Sequence, residues 1–318
     1  MAEIILKQSN PGFIDGSGVG ADALDKRIDA LRVRINSHPL QGGQWFKSET
    51  PSGGVFKVST YGTILQLPPE NQDSDRIPMA TPWKGFPIQF TLKNYRLGTQ
   101  IERSFQEDEL MAVATRMASG LMNAGRVLHE HSFASIINNA QTAADIGADG
   151  MPLSSTAHPF ERRQQGTWSN QETASALTHG NFNTARKNMR KRTDEYGDVQ
   201  PIKPIQLVTV PDKEQKAKEI FASERVDDNA LNTKNVWKDA VSIFIYDWMT
   251  GTTPWFLWGD RYENGAEDHG LHHVRLVDNI APTQGQDKST DIIGGRRLRM
   301  RFIDGFSTEK NLQYNAGA

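Results

Sequence analysis

Residues 40–90 are the part of this 318-residue chain that most restricts how it can fold. The stretch is rich in Gly, Pro, Ser and Thr, and within it "GVFKVSTYGTILQL" alternates apolar and polar residues as a half-buried strand does. Several prolines between residues 68 and 87 exclude a long central sheet, because proline cannot donate to a strand ladder. We expect a long two-stranded excursion with few core residues, and such a pair of strands is marginally stable at best on its own. It has to be a flexible lid or lie on another molecule.

A run from residue 106 to 140 gives the strongest local signal in the chain. Apolar side chains recur there with a period of about 3.6 residues, acidic residues open the run, and no proline interrupts it. At ~1.5 Å per residue, the pattern predicts one helix roughly 50 Å long. A second amphipathic pattern at 21–35 predicts a helix whose apolar stripe includes Leu24, Ile28 and Leu31. That stripe has to dock on the chain's own core or on a neighbouring subunit, and the residues leave both alternatives open.

Residues 178–275 have the pattern of a compact α/β unit. We predict a helix over 177–196, a short buried strand over 205–210 and a helix over 212–222, followed by two further apolar strands. Helices alternating with short apolar strands are typical of a sheet covered by helices.

Two arginine-rich stretches are the main basic features of the chain, "RKNMRKR" and "GGRRLRMRFIDGF". The second alternates arginine with apolar residues, which predicts a strand with one apolar and one arginine face. The basic residues singled out in these stretches are Arg186, Lys187, Arg190, Arg297, Arg299 and Arg301. Two interpretations are open: contact with DNA phosphates, or a solvated surface and salt bridges to acidic groups of a neighbouring subunit.

The overall composition excludes several classes of protein. Hydrophobic residues make up 37% of the chain, and 36 basic and 38 acidic residues leave a net charge of −2. No global field therefore attracts nucleic acid or an anionic membrane. The lack of cysteine excludes disulfides, zinc–thiolate sites and thiol catalysis. No apolar run approaches the ~18 residues of a membrane span and no signal peptide is visible, so we expect no membrane partner and a cytoplasmic origin.

The loop "DGMPLSSTAHPFERRQQGTWSN" holds the residue types of a nucleophilic enzyme. Ser154, Ser155, Thr156 and His158 lie within five positions, with Glu161 close behind. The loop has no G-x-S-x-G turn, and a serine and a histidine this close in sequence do not form a triad by themselves. We expect a structural loop.

The stretch "EDHGLHHVRL" is the best metal-site candidate in the sequence. Glu267, His269, His272 and His273 offer ligands for a metal-dependent hydrolase, although the H-E-x-x-H pattern is absent and flanking glycines favour a loop. We expect a polar loop and, for the whole chain, no catalytic, cofactor-binding or metal-binding residues.

Several quoted stretches resemble one known family. The order of the parts resembles the major capsid proteins of tailed bacteriophages with the HK97 fold. The sequences "DGMPLSSTAHP", "GTWSN", "LTHGNFNTARKNMRKRTDEYGDVQPIKPIQLVTVP", "PWFLWGD" and "RLRMRFIDGF" are similar to the Mu-type major head subunit within that family, over roughly residues 106–306.

The resemblance implies an α+β fold with an HK97-like layout. It divides the chain into an N-terminal arm (1–44), an extended two-stranded loop (45–90), a peripheral domain (91–177) with a spine helix (106–140), an axial domain (178–275) and a return to the peripheral sheet (276–318).

The implied function is self-assembly of pentamers and hexamers into an icosahedral virion shell enclosing double-stranded DNA. Assembly would take place in the host cytoplasm with a separate scaffold, a portal and cement proteins. The expected subunit contacts are Leu24, Ile28, Leu31, Trp45, Phe56, Val58, Tyr61 and Leu65. We expect no covalent cross-link between a loop lysine (Lys47, Lys57) and a late asparagine (Asn311, Asn315). The alternatives are an encapsulin-like nanocompartment shell, the metal-dependent hydrolase, and another virion structural protein such as a tail protein.

Overall fold

The computed structural model describes residues 40–61, 84–102, 111–160, 166–193, 197–226, 233–259, 270–283 and 292–318. Its helices are α1 (Met111–Asn138), α2 (His179–Arg190) and α3 (Glu214–Phe221), with short 3-10 turns at Gly42–Gln44 and Pro211–Lys213. Its strands are β1 (Lys47–Glu49), β2 (Val55–Tyr61), β3 (Lys84–Thr91), β4 (Lys93–Glu102), β5 (His158–Pro159), β6 (Thr167–Trp168), β7 (Pro204–Thr209), β8 (Ser242–Ile245), β9 (Trp255–Gly259), β10 (Leu271–Thr283), β11 (Ile292–Phe306) and β12 (Leu312–Asn315). No helix in these ranges is long and apolar enough to cross a membrane.

The first sheet has the strand order β1-β10-β11-β4, and α1 covers one of its faces. β11 alternates as predicted, because Leu298, Met300 and Phe302 are buried in one cluster with Leu121 of α1. Gly125 lets the helix approach closely, since a Cβ there would lie 3.0 Å from Leu298 Cδ2. The arginines of β11 therefore occupy the face opposite the helix.

Helix α1 contains 28 residues. At ~1.5 Å per residue it is about 42 Å long, against the roughly 50 Å predicted for residues 106–140. The predicted start at residue 106 lies outside the described residues, and the helix ends at Asn138.

The second sheet has the strand order β12-β9-β7-β8, with helices α2 and α3 on one face. Alternate residues of β7 point to opposite sides: Leu207 packs with Phe182 of α2 and Phe221 of α3, whereas Val208 packs with Phe133 of α1. The last turns of α1 therefore lie in a core shared by the two sheets.

The hairpin β2–β3 stands on the face of the first sheet opposite α1. Its register runs from Val55 opposite Thr91 to Tyr61 opposite Lys84. Phe90 packs with Val274 and contacts the backbone at Gly305, where no side chain would fit. The predicted two-stranded excursion thus begins as a hairpin, and its continuation over residues 62–83, including Leu65, lies outside the described residues.

Three predicted boundaries need correction. Residues 45–49 belong to the packed core and the first sheet and not to the extended loop predicted for 45–90, because Trp45 and Phe46 are buried and β1 pairs with β10. The boundary at 275 falls within β10, a single strand of the first sheet. Residues 312–315 do not return to the first sheet, since β12 pairs with β9 in the second. Each correction involves a strand partner far away in sequence, which local patterns do not reveal.

Candidate functional site

A buried tryptophan holds the first described residues in the hydrophobic core. Trp45 is only 2% exposed, and its ring centroid lies 5.1 Å from Phe244 and 5.2 Å from Tyr246. Its indole Nε1 donates a hydrogen bond to Gln206 Oε1 at 2.8 Å. The prediction of Trp45 as a subunit contact is therefore wrong, because its own chain already covers the side chain.

A buried carboxylate on α1 secures the same region. Glu130 is 3% exposed and accepts hydrogen bonds from the backbone N–H groups of Gln41 (2.5 Å) and Gly42 (3.2 Å). Burial, with a further contribution from the Glu130 carboxylate, raises the pKa of Tyr246, so this phenol keeps its proton. Residues 41 and 42 are thus attached to α1 before the chain reaches β1.

The other predicted contact residues differ from Trp45. Phe56 and Val58 of β2 are half-buried and pack against the cluster around Phe90 on the chain's own first sheet. Part of each remains accessible. The side chain of Tyr61, like the residues Leu24, Ile28, Leu31 and Leu65, lies outside what the structure describes.

The loop that contains the serines is organised around a buried histidine. His158 is fully buried, and its Nδ1 lies 2.7 Å from Asp149 Oδ2 and 3.3 Å from Glu309 Oε1. Its Nε2 lies 3.0 Å from Asn170 Oδ1. Asp149 lies in a turn, His158 lies in β5, and Glu309 lies in the segment between β11 and β12.

The orientation of Asn170 fixes one side of the His158 ring. Asn170 Oδ1 accepts from the backbone N–H of Ser155 (2.9 Å) and Nδ2 donates to Leu153 O (2.8 Å), so the amide cannot be flipped. The same Oδ1 lies 3.0 Å from His158 Nε2, and Nδ1 faces the carboxylates of Asp149 and Glu309. Both ring nitrogens therefore already have partners within this loop and its neighbours, and neither faces a serine hydroxyl in a described hydrogen bond.

Arg192 completes this network at the end of α2. Its guanidinium donates to Gln313 Oε1 at 2.7 Å and to the carbonyl of Lys310, and it lies 4.7 Å over the ring of Trp168. Trp168 in turn stacks on His158 at 4.8 Å. Burial lowers the pKa of Arg192 to about 10, against the opposing effect of Glu309, so the side chain is charged at neutral pH.

The loop is therefore a structural joint between residues 149–170, α2 and the final strand. Ser155 Oγ accepts from the backbone N–H of Ala157 and makes no triad with His158. These contacts agree with the structural interpretation, and Glu161 lies outside the described residues. The sequence contains Asp149, Asn170 and Glu309, but nothing in their spacing shows that they meet.

The structure separates the residues of the metal-site candidate. His272 Nε2 lies 2.7 Å from Ser307 Oγ and its ring packs near Phe90 of the hairpin. His273 points to the other face, with Nδ1 2.5 Å from Asp304 Oδ1. The metal-dependent hydrolase alternative is wrong in its ligand set, since neighbouring residues of a strand cannot both face one ion here. Glu267 and His269 lie outside the described residues.

The two basic clusters have different environments. In the first, Arg186 lies 4.8 Å over the ring of Trp237, while Lys187 and Arg190 are exposed in the last turn of α2. Cations are favourable at a helix C-terminus, which accounts for their position without a partner.

In the second cluster, Arg297 and Arg299 are exposed, whereas Arg301 lies against Gly54 of the hairpin. The β4–β11 register places Arg96 directly opposite Arg299. Sequence reasoning missed Arg96, because a strand register cannot be read from either strand alone.

Comparison with known proteins gives a consistent result. The family of phage capsid proteins matches residues 87–306. The chain is 14% identical to the capsid of bacteriophage JBD30 decorated with minor capsid protein trimers (TM-score 0.53), covering 67% of this chain and 92% of that one. It is 12% identical to the capsid of cyanophage P-SCSP1u (TM-score 0.55), covering 86% of each chain.

A structure from Microbacterium phage Oxtober96 is 8% identical (TM-score 0.54), covering 88% of this chain and 92% of that one. No curated protein matches significantly. The structural likenesses show a shared fold, and the family match spans more than half of the sequence. The chain therefore belongs to the phage capsid protein family.

Proposed function

We propose that this chain is the major capsid protein of a tailed bacteriophage, and that many copies tile an icosahedral shell around double-stranded DNA. The family match over residues 87–306 carries the proposal. The α+β fold shared with the JBD30 and P-SCSP1u capsids supports it. The catalytic candidates give no competing function, because His158 is held in a structural joint and His272 and His273 diverge.

The layout we propose is that of an HK97-type subunit, close to the Mu-type head proteins. The first sheet with α1 forms the peripheral domain, and α1 serves as its spine. The second sheet with α2 and α3 forms the axial domain. The arm before residue 40 and the continuation of the hairpin between β2 and β3 reach other subunits. This assignment rests on the motif resemblance and on the order of the described elements.

The hairpin gives a physical reason for assembly. Among its described residues, the hairpin packs on its own sheet through Phe90 and Phe56, while Val55 is 42% exposed. Two strands alone bury too little apolar surface to be stable in water. Pentamers and hexamers would supply the missing burial at roughly 25 cal/mol per Å² before ordering costs. The accessible parts of Phe56 and Val58 are the described candidates for such contacts.

The remaining partners follow from the same proposal. The DNA would be enclosed without sequence readout, and a separate scaffold and portal would direct assembly in the host cytoplasm. Cement proteins are a further proposed partner, by analogy with the minor capsid protein trimers on the JBD30 capsid.

Covalent cross-linking is not part of the proposal. Asn315 is buried, and its Oδ1 accepts hydrogen bonds from the backbone of Ser175 and Gly317 within its own chain. A denaturing gel of assembled particles should therefore show only a monomer-sized band.

Expression of the full chain tests the proposal. Electron microscopy of the purified protein should show closed shells or capsomers, and particles from an infected host should contain nuclease-protected DNA. Monomers that stay monomeric at high concentration would contradict a capsid role. Shells that hold protein cargo and no DNA would favour the nanocompartment alternative.

A further inference from the structure

The β4–β11 end of the first sheet carries an unusual concentration of positive charge. Arg299 lies directly opposite Arg96, and Arg297 lies opposite Gly98. Directly opposed residues of antiparallel strands have Cβ atoms about 4.5–5.5 Å apart, and like charges in that position are destabilising. All three arginines are exposed. We call Arg96, Arg297 and Arg299 the arginine face.

No described carboxylate pairs with the arginine face, although other exposed cations do have such partners. Lys218 pairs with Glu214, and Lys238 pairs with Glu224 at 2.9 Å. Gly98 leaves a depression beside Arg297, and the surrounding groove is lined by the three arginines with Leu97 and Leu298. A groove walled by planar guanidinium groups fits oxyanions that can accept two parallel hydrogen bonds, which carboxylates do well.

The strand that carries Arg96 adds one feature of a protein-binding site. β4 is the terminal strand of the sheet as described, so its outer backbone groups are open to another strand. Leu97 in the middle of β4 is 52% exposed, on the side of the strand opposite Arg96. An open strand edge favours an extended peptide as the partner.

These features favour a protein partner over DNA. Phosphate binding by this chain would depend on a few arginines, since its net charge of −2 provides no wider attraction. With 38 acidic residues, each copy has carboxylates to offer, including the acid-rich stretches at 70–75 and 107–109. The arginine face also shares its side of the sheet with the hairpin base, through Arg301 against Gly54.

We propose that the arginine face is a contact between copies of this chain, where an extended segment of a second copy places its carboxylates against Arg96, Arg297 and Arg299. The proposal rests on the capsid function, and it assigns one surface and its partner's chemistry. In the free subunit, Arg96 and Arg299 repel each other across the strand pair. Assembly would remove this repulsion by placing carboxylates of the second copy beside them. Arg186, held over Trp237, has no such role.

The test compares two charge-reversed variants of the full chain. Arg297→Glu with Arg299→Glu reverses the arginine face, and Lys187→Glu with Arg190→Glu is the matched control in the other basic cluster. Assembly without DNA is followed by light scattering and electron microscopy, and folding by circular dichroism. We expect both variants to fold, the control to assemble, and the arginine-face variant to lose at least ten-fold in assembly yield. Arg297→Lys with Arg299→Lys should recover part of that yield.

The possible results separate the two proposals. Normal assembly of the arginine-face variant would overturn the assigned contact and leave the capsid function standing. Normal assembly with reduced retention of double-stranded DNA would show that phosphate is the partner, which also overturns it. Failure of the unmodified chain to associate at any concentration would contradict the capsid function and the contact together. If the arginine-face variant does not fold, the single change Arg299→Gln decides by the same measurements.

Discussion

Arg192 and Arg299 belong to arginine-rich stretches of similar composition, yet their surroundings differ completely. Arg192 is buried, hydrogen-bonded to Gln313 and stacked over Trp168, within reach of Glu309. Arg299 is exposed and faces another arginine across the strand pair. Arg192 is compensated by groups of its own chain, whereas no described carboxylate pairs with Arg299. A basic cluster in a sequence therefore does not indicate a binding surface until its local partners are known.

The largest effect that tests this comparison is expected at Arg192. Arg192→Ala removes the cation beside Glu309 and leaves a buried carboxylate less compensated, so unfolding free energy should fall by about 3–5 kcal/mol. Urea unfolding of the unassembled subunit measures this. Arg190→Ala, exposed two residues earlier, is the control and should change stability by less than about 0.5 kcal/mol. Equal effects would mean that the Arg192 network is not part of the folded subunit.

His158 tests the other half of the same joint. His158→Gln keeps a polar side chain but loses the ring that faces Asp149, Glu309 and Asn170, and we expect the unfolding free energy to fall by about 2–3 kcal/mol. Urea unfolding of the unassembled subunit measures this loss. An unchanged unfolding free energy would contradict the structural role of His158 in the joint.

A smaller loss of unfolding free energy is expected for substitution of Arg186, which is half-buried and contacts one aromatic ring. Arg186→Ala removes the cation over Trp237 and should cost about 1 kcal/mol. Thermal unfolding beside Lys187→Ala, which contacts no aromatic ring in the described structure, isolates that contribution. Equal melting temperatures for the two variants would contradict the cation–π contact between Arg186 and Trp237.

The smallest effect, and one of opposite sign, belongs to the arginine face. Arg299→Ala removes a like-charged neighbour of Arg96, so the free subunit should gain up to about 0.5 kcal/mol. The gain should shrink as salt is added, because screening weakens the repulsion. A loss above 1 kcal/mol would show that Arg299 already has a stabilising partner within its own chain.

Sequence patterns predicted much of the fold because its main elements are locally encoded. The period of the long helix, the alternation on β11 and the apolar strands β7 and β9 could be read directly. The patterns could not show which residues contact each other when they lie far apart in the sequence. Trp45 looked like part of a surface loop because its partners Gln206, Tyr246 and Phe256 are more than 150 residues away. The joint around His158 depends on Glu309, and the arginine face depends on Arg96, each supplied by a distant segment.

A cryo-EM reconstruction of the DNA-free particle formed by the purified chain tests the central claim most directly. We predict a closed shell in which Arg192 keeps the partners described above. Carboxylates of a neighbouring copy should lie within about 4 Å of the guanidinium groups of the arginine face. A closed shell with Arg297 and Arg299 open to solvent, or with Arg192 paired to another copy, would contradict it.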